Sequence, residues 1–227
     1  MANFKTHLTV GIILGITCAS LALTSSILSG WSTLTLIVLM VAIGSFLPDV
    51  DSDSALPFRI VFYSLGIILA IFTLVWVTNN YSNSWEVIPY LNNNPDLNLK
   101  TILIVGLPLL AFFATRFILG STFKKFTKHR GIFHSIPMAI ISILLTLTLL
   151  KNFSNFDSNI QLILSLSMGV GFLSHLILDE IYSTINFNGK KFHPNKNFGT
   201  ALKYWSNSLK ITLLTYFILF ILFKINF

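Results

Sequence analysis

Seven long apolar segments separated by polar connectors dominate the hydrophobic pattern of the chain. Each approaches the roughly 20 residues that a helix needs to cross a membrane, and the short alternating segments of a transmembrane β-barrel are absent. The segments run from Leu8 to Ile27, Thr33 to Leu47, Ile60 to Thr78, Thr101 to Leu119, Ile132 to Leu150, Ile160 to Leu178 and Leu209 to Phe223. The pattern predicts an all-α polytopic transmembrane bundle of about seven spans, forming a single domain over residues 1–227.

Composition agrees with this prediction. Apolar residues make up 54% of the 227 residues and charged residues only 10%, whereas soluble domains carry about 25% charged residues. The lone Cys18 lies inside an apolar segment and can form no intrachain disulfide. The apolar segment after Lys5 resembles a signal peptide, but no clear cleavage site follows it, so we expect it to be retained as a helix.

The distribution of basic residues predicts the orientation. If the N-terminus is cytoplasmic, twelve of the fifteen Lys and Arg residues fall at the inner face, and only Lys100, Lys151 and Lys224 fall outside. Cytoplasmic loops of membrane proteins are enriched in Lys and Arg. The twelve-to-three split therefore predicts that the N-terminus is inside and the C-terminus outside, and the net charge of +7 is explained first by this orientation.

The same topology places the imidazoles and most of the acids at one face, although only Lys and Arg were counted to predict the orientation. The residues expected at the cytoplasmic face are His7, His129, His134, His175 and His193, which are all five histidines, together with Asp49, Asp51, Asp53, Asp179 and Glu180. This clustering predicts a functional site at that face.

Two groups in this set lie at the ends of apolar segments. His175 and Asp179 are four residues apart, so on a helix they share one face. Such a pair suits two metal ligands, or an imidazole with its orienting carboxylate; the alternative is a histidine satisfied at a helix end. Asp49 and Asp51 follow Pro48, where they bind a divalent cation or simply form a solvated turn that caps the next helix.

The stretch from Lys128 to Ser135 forms a third group. The positive-inside rule explains Lys128, and Lys124 and Lys125 before it. It does not explain His134, which is expected about one turn inside the apolar segment, where an ionisable residue is costly and usually functional. Arg130 offers a planar fork to a phosphate oxygen. His7, at the mouth of the first helix, is either a surface residue or a further ligand, and His193 in a basic loop has the weakest case.

Several imidazoles with carboxylates match a centre for one or two divalent metal ions, with zinc favoured and manganese or magnesium as alternatives. No serine-nucleophile, Walker or dinucleotide glycine motif is present.

Four motifs in order resemble those of the YdjM-type membrane-bound metal-dependent hydrolases, a family described as LexA-binding inner-membrane hydrolases. They are Thr6-His7-Leu8 with Gly11 and Gly15, Gly44 to Asp51 with Ser54, His129 to Ser135, and Ser174 to Asp179. The resemblance implies the metal-ligand candidates His7, Asp49, Asp51, His129, His134, His175 and Asp179. The chain departs from many members after Asp179, where it has Tyr182-Ser183-Thr184. More distantly, the His/Asp pattern is similar to zinc-dependent phospholipases C.

Together these features favour a hydrolase acting on a phosphoester of a lipid or lipid-linked substrate, since the site is expected at headgroup level. Arg130 is the candidate anion-binding residue, and Asp51 and His134 are candidates for proton transfer. Membrane lipids are the expected partners; no direct nucleic-acid contact is expected, and a protein partner is left open.

Three alternatives differ from this hypothesis. A divalent-metal transporter or metal sensor also places His and Asp in membranes, but a transport path should spread its ligands through the membrane depth. A lipid phosphatase of the phosphatidic acid phosphatase type requires a Pro-Ser-Gly-His segment, which is missing. A regulatory role through a LexA-type partner follows only from the family description.

Overall fold

The computed structural model describes residues 3–25, 28, 30–51, 56–81, 99–126, 131–184, 199, 202–206 and 208–227. Within these ranges the chain forms helices and no β-strand. The elements are α1 (Phe4–Thr24), α2 (Trp31–Phe46), a 3-10 helix (Leu47–Asp51), α3 (Leu56–Tyr81), α4 (Leu99–Phe113), a π-helix (Ala114–Leu119), α5 (Gly120–Phe126), α6 (Ile136–Phe153), α7 (Ser158–Thr184) and α8 (Leu209–Asn226).

Seven helical stretches in the described residues are long and apolar enough to cross a membrane. They are α1, α2 with the 3-10 helix, α3, the continuous run from α4 to α5, α6, α7 and α8. Large apolar side chains such as Ile13, Phe72 and Phe217 are more than half exposed, as lipid-facing residues are in the absence of lipid. The predicted all-α bundle of about seven spans is confirmed, while the orientation stays a prediction.

Helix starts differ from the predicted ones at two site residues. The Asn3 side chain accepts a hydrogen bond from the Thr6 amide and caps α1 at Phe4, so His7 lies at the end of the first helical turn. Helix α6 begins only at Ile136, where Pro137 suits a first turn. The prediction that His134 lies one turn inside a span is therefore wrong, because it precedes the helix.

The chain divides into two compact units. The first unit comprises Met1–Pro57 and Thr127–Phe227, and in it α7 packs against α1, α2 and α6, while α6 also packs against α8. The second unit comprises Phe58–Phe126 and contains most of α3 with α4, the π-helix and α5. The predicted single domain over residues 1–227 stays a prediction.

Helices α2 and α7 meet backbone to backbone in the first unit. A Cβ atom on Gly44 would lie 2.2 Å from the Met168 carbonyl oxygen, and one on Gly171 would lie 2.1 Å from the Val41 carbonyl oxygen. Only glycine fits at such distances. The close approach brings the end of α2, and the turn that follows it, beside His175 on α7.

Candidate metal centre

Four separate segments of the first unit converge on one buried cluster. Helix α1 contributes His7, the 3-10 helix contributes Asp49, the segment before α6 contributes His134, and α7 contributes His175 and Asp179. The three histidines and Asp179 are at most 1% exposed, whereas the Asp49 side chain is 13% exposed. Asp49 therefore marks the side of the cluster that solvent reaches.

The separations between the polar atoms suit a metal site. Asp49 Oδ1 lies 3.5 Å from Nε2 of both His134 and His175. Asp179 lies 3.4 Å from His7 Nε2 through Oδ1 and 3.9 Å from His134 Nε2 through Oδ2. Ligand atoms around a tetrahedral zinc ion, with bonds of about 2.0–2.1 Å, are roughly 3.3 Å apart, so these atoms are near the spacing that one ion requires.

Two groups of ligand atoms overlap in the cluster. His7, Asp49 and His175 form one group and His134, His175 and Asp179 the other, and within each the ligand atoms lie within 4.8 Å of one another. The imidazoles of His7 and His175 are stacked, with ring centroids 3.7 Å apart and an angle of 14° between planes. His175 belongs to both groups and is the centre of the arrangement.

A backbone contact fixes the orientation of His175. Its Nδ1 lies 2.8 Å from the Ser45 carbonyl oxygen, which can only accept a hydrogen bond, so Nδ1 carries the hydrogen and a neutral ring presents its Nε2 lone pair to the cluster. Within the described part of the chain, neither Nε2 of His175 nor either ring nitrogen of His7 has a hydrogen-bond partner. Buried polar atoms are rarely left this way, and a coordinated ion satisfies such nitrogens.

Asp51 acts on His134 from the other side of the ring. Its Oδ2 lies 3.4 Å from Nδ1 of His134, and it belongs to neither ligand group among the described residues. Burial opposes protonation of His134, but the neighbouring Asp49 and Asp51 carboxylates outweigh that effect and raise its pKa to about 9. In this position Asp51 resembles the carboxylates that orient metal-bound histidines.

The other predicted site residues have different outcomes. His129, Arg130 and His193 lie outside the described residues, so their predicted roles stay predictions. Glu180 belongs to neither ligand group among the described residues, and its Oε2 accepts a hydrogen bond of 2.9 Å from the Gly199 amide. It therefore connects the end of α7 to Gly199.

Sequence reasoning missed the residues that position the ligands. Ser45 acts through its carbonyl oxygen, which no side-chain pattern reveals. Gly44 and Gly171 precede Asp49 and His175 by about one helical turn, and small residues at that spacing are the signal that two helices approach closely there.

A known protein family matches almost the whole chain. A family model described as YdjM inner membrane protein matches residues 1–225. The chain belongs to the YdjM inner membrane protein family. The YdjM match includes all predicted ligands, from His7 to Asp179, and with the seven apolar helices it makes the protein a multi-pass membrane protein. Searches of curated proteins and of solved structures give no match.

Proposed function

We propose that this YdjM-family protein is a membrane-embedded metal-dependent hydrolase that cleaves a phosphoester of a lipid or lipid-linked substrate at the cytoplasmic face. The observation that carries the proposal is the convergence of three histidines and two aspartates from four separate segments in a buried cluster. Burying charged groups costs several kcal/mol each unless they are paired or bind a metal. A catalytic metal centre would explain why the protein keeps these groups buried together despite the cost in folding free energy.

The donor set favours zinc. Imidazole nitrogens and carboxylate oxygens are its usual ligands, whereas magnesium prefers oxygen ligands and water. His7, His175, Asp49 and Asp179 would hold the ion, and His134 would join them through Nε2. A divalent ion bound here would lower the pKa of a water molecule and withdraw negative charge from a phosphoryl oxygen.

The protein residues position the remaining chemistry. Asp51 at Nδ1 of His134 turns Nε2 towards Asp49 and Asp179. Because its pKa is about 9, His134 carries protons on both ring nitrogens at neutral pH. After loss of the Nε2 proton, that nitrogen would serve either as a metal ligand or as the acceptor of a proton from an attacking water molecule.

The place of the cluster in the bundle supports a substrate at headgroup depth. His7 lies near the beginning of α1, Asp49 directly after α2, and Asp179 near the end of α7. These positions are at one end of the first unit, so the cluster is not spread along its helices. A transport path requires ligands at successive depths, and this distribution favours an enzyme over a transporter. Arg130, predicted to bind the phosphate, lies outside the described residues.

Activity of the purified full-length protein tests the proposal. We expect phosphate or headgroup release from at least one member of a panel of phospholipids and lipid-linked phosphates, with loss of activity on chelation and recovery with zinc. Asp49→Asn should abolish the release because it replaces the carboxylate, whose Oδ1 lies 3.5 Å from Nε2 of both His134 and His175, by an uncharged amide that is a weak metal ligand.

The matched control is Asp157→Asn, which removes an exposed carboxylate between α6 and α7 and should leave the release unchanged. Equal activity of Asp49→Asn and wild-type protein would contradict the proposal. Zinc uptake into proteoliposomes that Asp49→Asn abolishes, without any phosphoester cleavage, would instead establish a transporter.

A further inference from the structure

The second unit carries a cation inside a membrane-spanning helix. Arg116 lies in the span Leu103–Lys125, nine residues before Lys125, which corresponds to about 13 Å of helix. Ionisable residues at such depth are costly and usually functional. The metal centre makes no use of Arg116, because every residue of that centre belongs to the first unit.

Arg116 lies on an irregular part of its helix. The π-helix Ala114–Leu119 interrupts the α-helical ladder, and the Gly120 amide donates to the Thr115 carbonyl oxygen five residues earlier. Short π-helical turns occur often at functional sites, since they cost stability without serving the fold. The one basic residue of this turn is Arg116.

Aromatic rings hold the guanidinium without neutralising it. Its Cζ atom lies 4.6 Å from the ring centroid of Tyr63, 5.5 Å from that of Phe117 and 5.7 Å from that of Phe58. Cation–π contacts use the face of the guanidinium and leave its N–H donors unused. Its Nε atom is buried and has no hydrogen-bond partner among the residues that the structure describes. Arg116 is therefore positioned but still requires an acceptor.

The charged residues in the described helices of the second unit are all basic. The sequences of α3, α4, the π-helix and α5 contain five basic residues and neither Asp nor Glu. The Lys124 Nζ atom lies 4.4 Å from the Phe58 ring centroid that Arg116 also contacts, so the two cationic groups are within about 10 Å of each other. An anion bound by Arg116 would therefore also be attracted by the positive charge of Lys124.

We propose that Arg116 and Lys124, held on the ring of Phe58, bind the phosphate group of an anionic membrane lipid. The guanidinium supplies two parallel N–H donors for the phosphate oxygens and the ammonium a second positive charge. The site lies wholly in the second unit, so it does not rest on the proposed hydrolase activity.

Lipid binding to the purified full-length protein tests this site. Thermal stability is measured in detergent during titration with phosphatidylglycerol, with phosphatidylcholine and with inorganic phosphate. We expect saturable stabilisation by phosphatidylglycerol and little by phosphatidylcholine. Arg116→Gln should weaken phosphatidylglycerol binding by about tenfold or more, since it removes a charge-assisted pair of hydrogen bonds. Saturation by inorganic phosphate at the same concentrations would identify the free anion as the source of the bound group.

Arg59→Gln is the matched control, because Arg59 is an exposed basic residue of the same unit. It should change the affinity by less than about twofold, as removal of one unspecific surface charge does. Equal weakening by both substitutions, or an unchanged affinity of Arg116→Gln, would overturn the proposal. If Arg116→Gln does not fold, Arg116→Lys replaces it: its ammonium lacks the paired donors, so several-fold weaker binding is expected and wild-type affinity would refute the site.

Discussion

Replacing Gly171 by alanine tests whether the contact between α2 and α7 holds the metal ligands in place. The added methyl carbon would lie 2.1 Å from the Val41 carbonyl oxygen and 2.9 Å from the Ser45 amide nitrogen. Non-bonded carbon contacts are normally about 3.5 Å or longer. Since both contacted atoms belong to the backbone of α2, the two helices must separate by roughly 1 Å.

The separation should weaken metal binding by a calculable amount. Asp49 follows α2, and the Ser45 carbonyl oxygen orients His175, so both ligands move when α2 moves. Overpacking of this kind costs about 1–3 kcal/mol. The metal-free variant relieves this strain by separating the helices, but metal binding requires the original spacing and brings the strain back. The zinc affinity should therefore fall by about 5-fold to 150-fold.

A competition titration against a zinc chelator measures this affinity in detergent, and the elution profile shows that the variant is folded. Gly30→Ala is the control, since its added carbon would meet no atom closer than 3.4 Å and should leave the affinity unchanged. A folded Gly171→Ala protein with wild-type zinc affinity would refute the link between helix spacing and the site.

Three further predictions concern individual residues of the centre. His175→Ala should leave less than about 1% of the wild-type metal affinity, because His175 belongs to both ligand groups and loss of a ligand should weaken binding more than the about 10- to 100-fold that loss of an orienting residue does. Equilibrium dialysis with elemental analysis measures the affinity, and a retained ion would contradict the prediction. Asp51→Asn should lower the metal affinity only by about 10- to 100-fold, since it disturbs the orientation of His134 and removes no atom of either ligand group. Calorimetric titration measures this affinity, and complete loss of metal binding would instead identify Asp51 as a ligand. With the His134 pKa at about 9 in the absence of metal, a proton competes with the metal below that pH, so the affinity should rise by about tenfold per unit as the pH increases towards 9. The same titration at several pH values measures the slope, and a slope unchanged in His134→Ala would show that another group releases the proton.

The fold was largely predictable because the membrane imposes a simple rule. Each span must be long and apolar, and this requirement is legible in the sequence without knowledge of packing. The helix ends were harder, since local caps decide them: Asn3 extends α1 ahead of His7, and Pro137 delays the start of α6 past His134. The division into two units follows from helix contacts and leaves no composition signal.

For the site, the sequence predicted which residue types meet but not how they are arranged. The distribution of Lys and Arg predicted that the histidines and most aspartates lie at one face of the membrane. The structure brings together five of them, which are His7, Asp49, His134, His175 and Asp179. The position of Asp51 behind His134 depends on the path of the 3-10 helix. The role of Ser45 depends on its backbone carbonyl oxygen. Every residue has such an oxygen, so no sequence pattern indicates which one contacts a ligand.

Metal analysis of the wild-type protein tests the central claim most directly. The full-length protein is purified without added metal or chelator, and its metal content per chain is measured together with the X-ray absorption spectrum at the metal edge. The arrangement of His7, Asp49, His134, His175 and Asp179 predicts one or two divalent ions per chain, with nitrogen and oxygen ligands at about 2.0–2.2 Å and the scattering signature of imidazole. Folded protein that contains no metal and binds none when zinc is supplied would contradict the account.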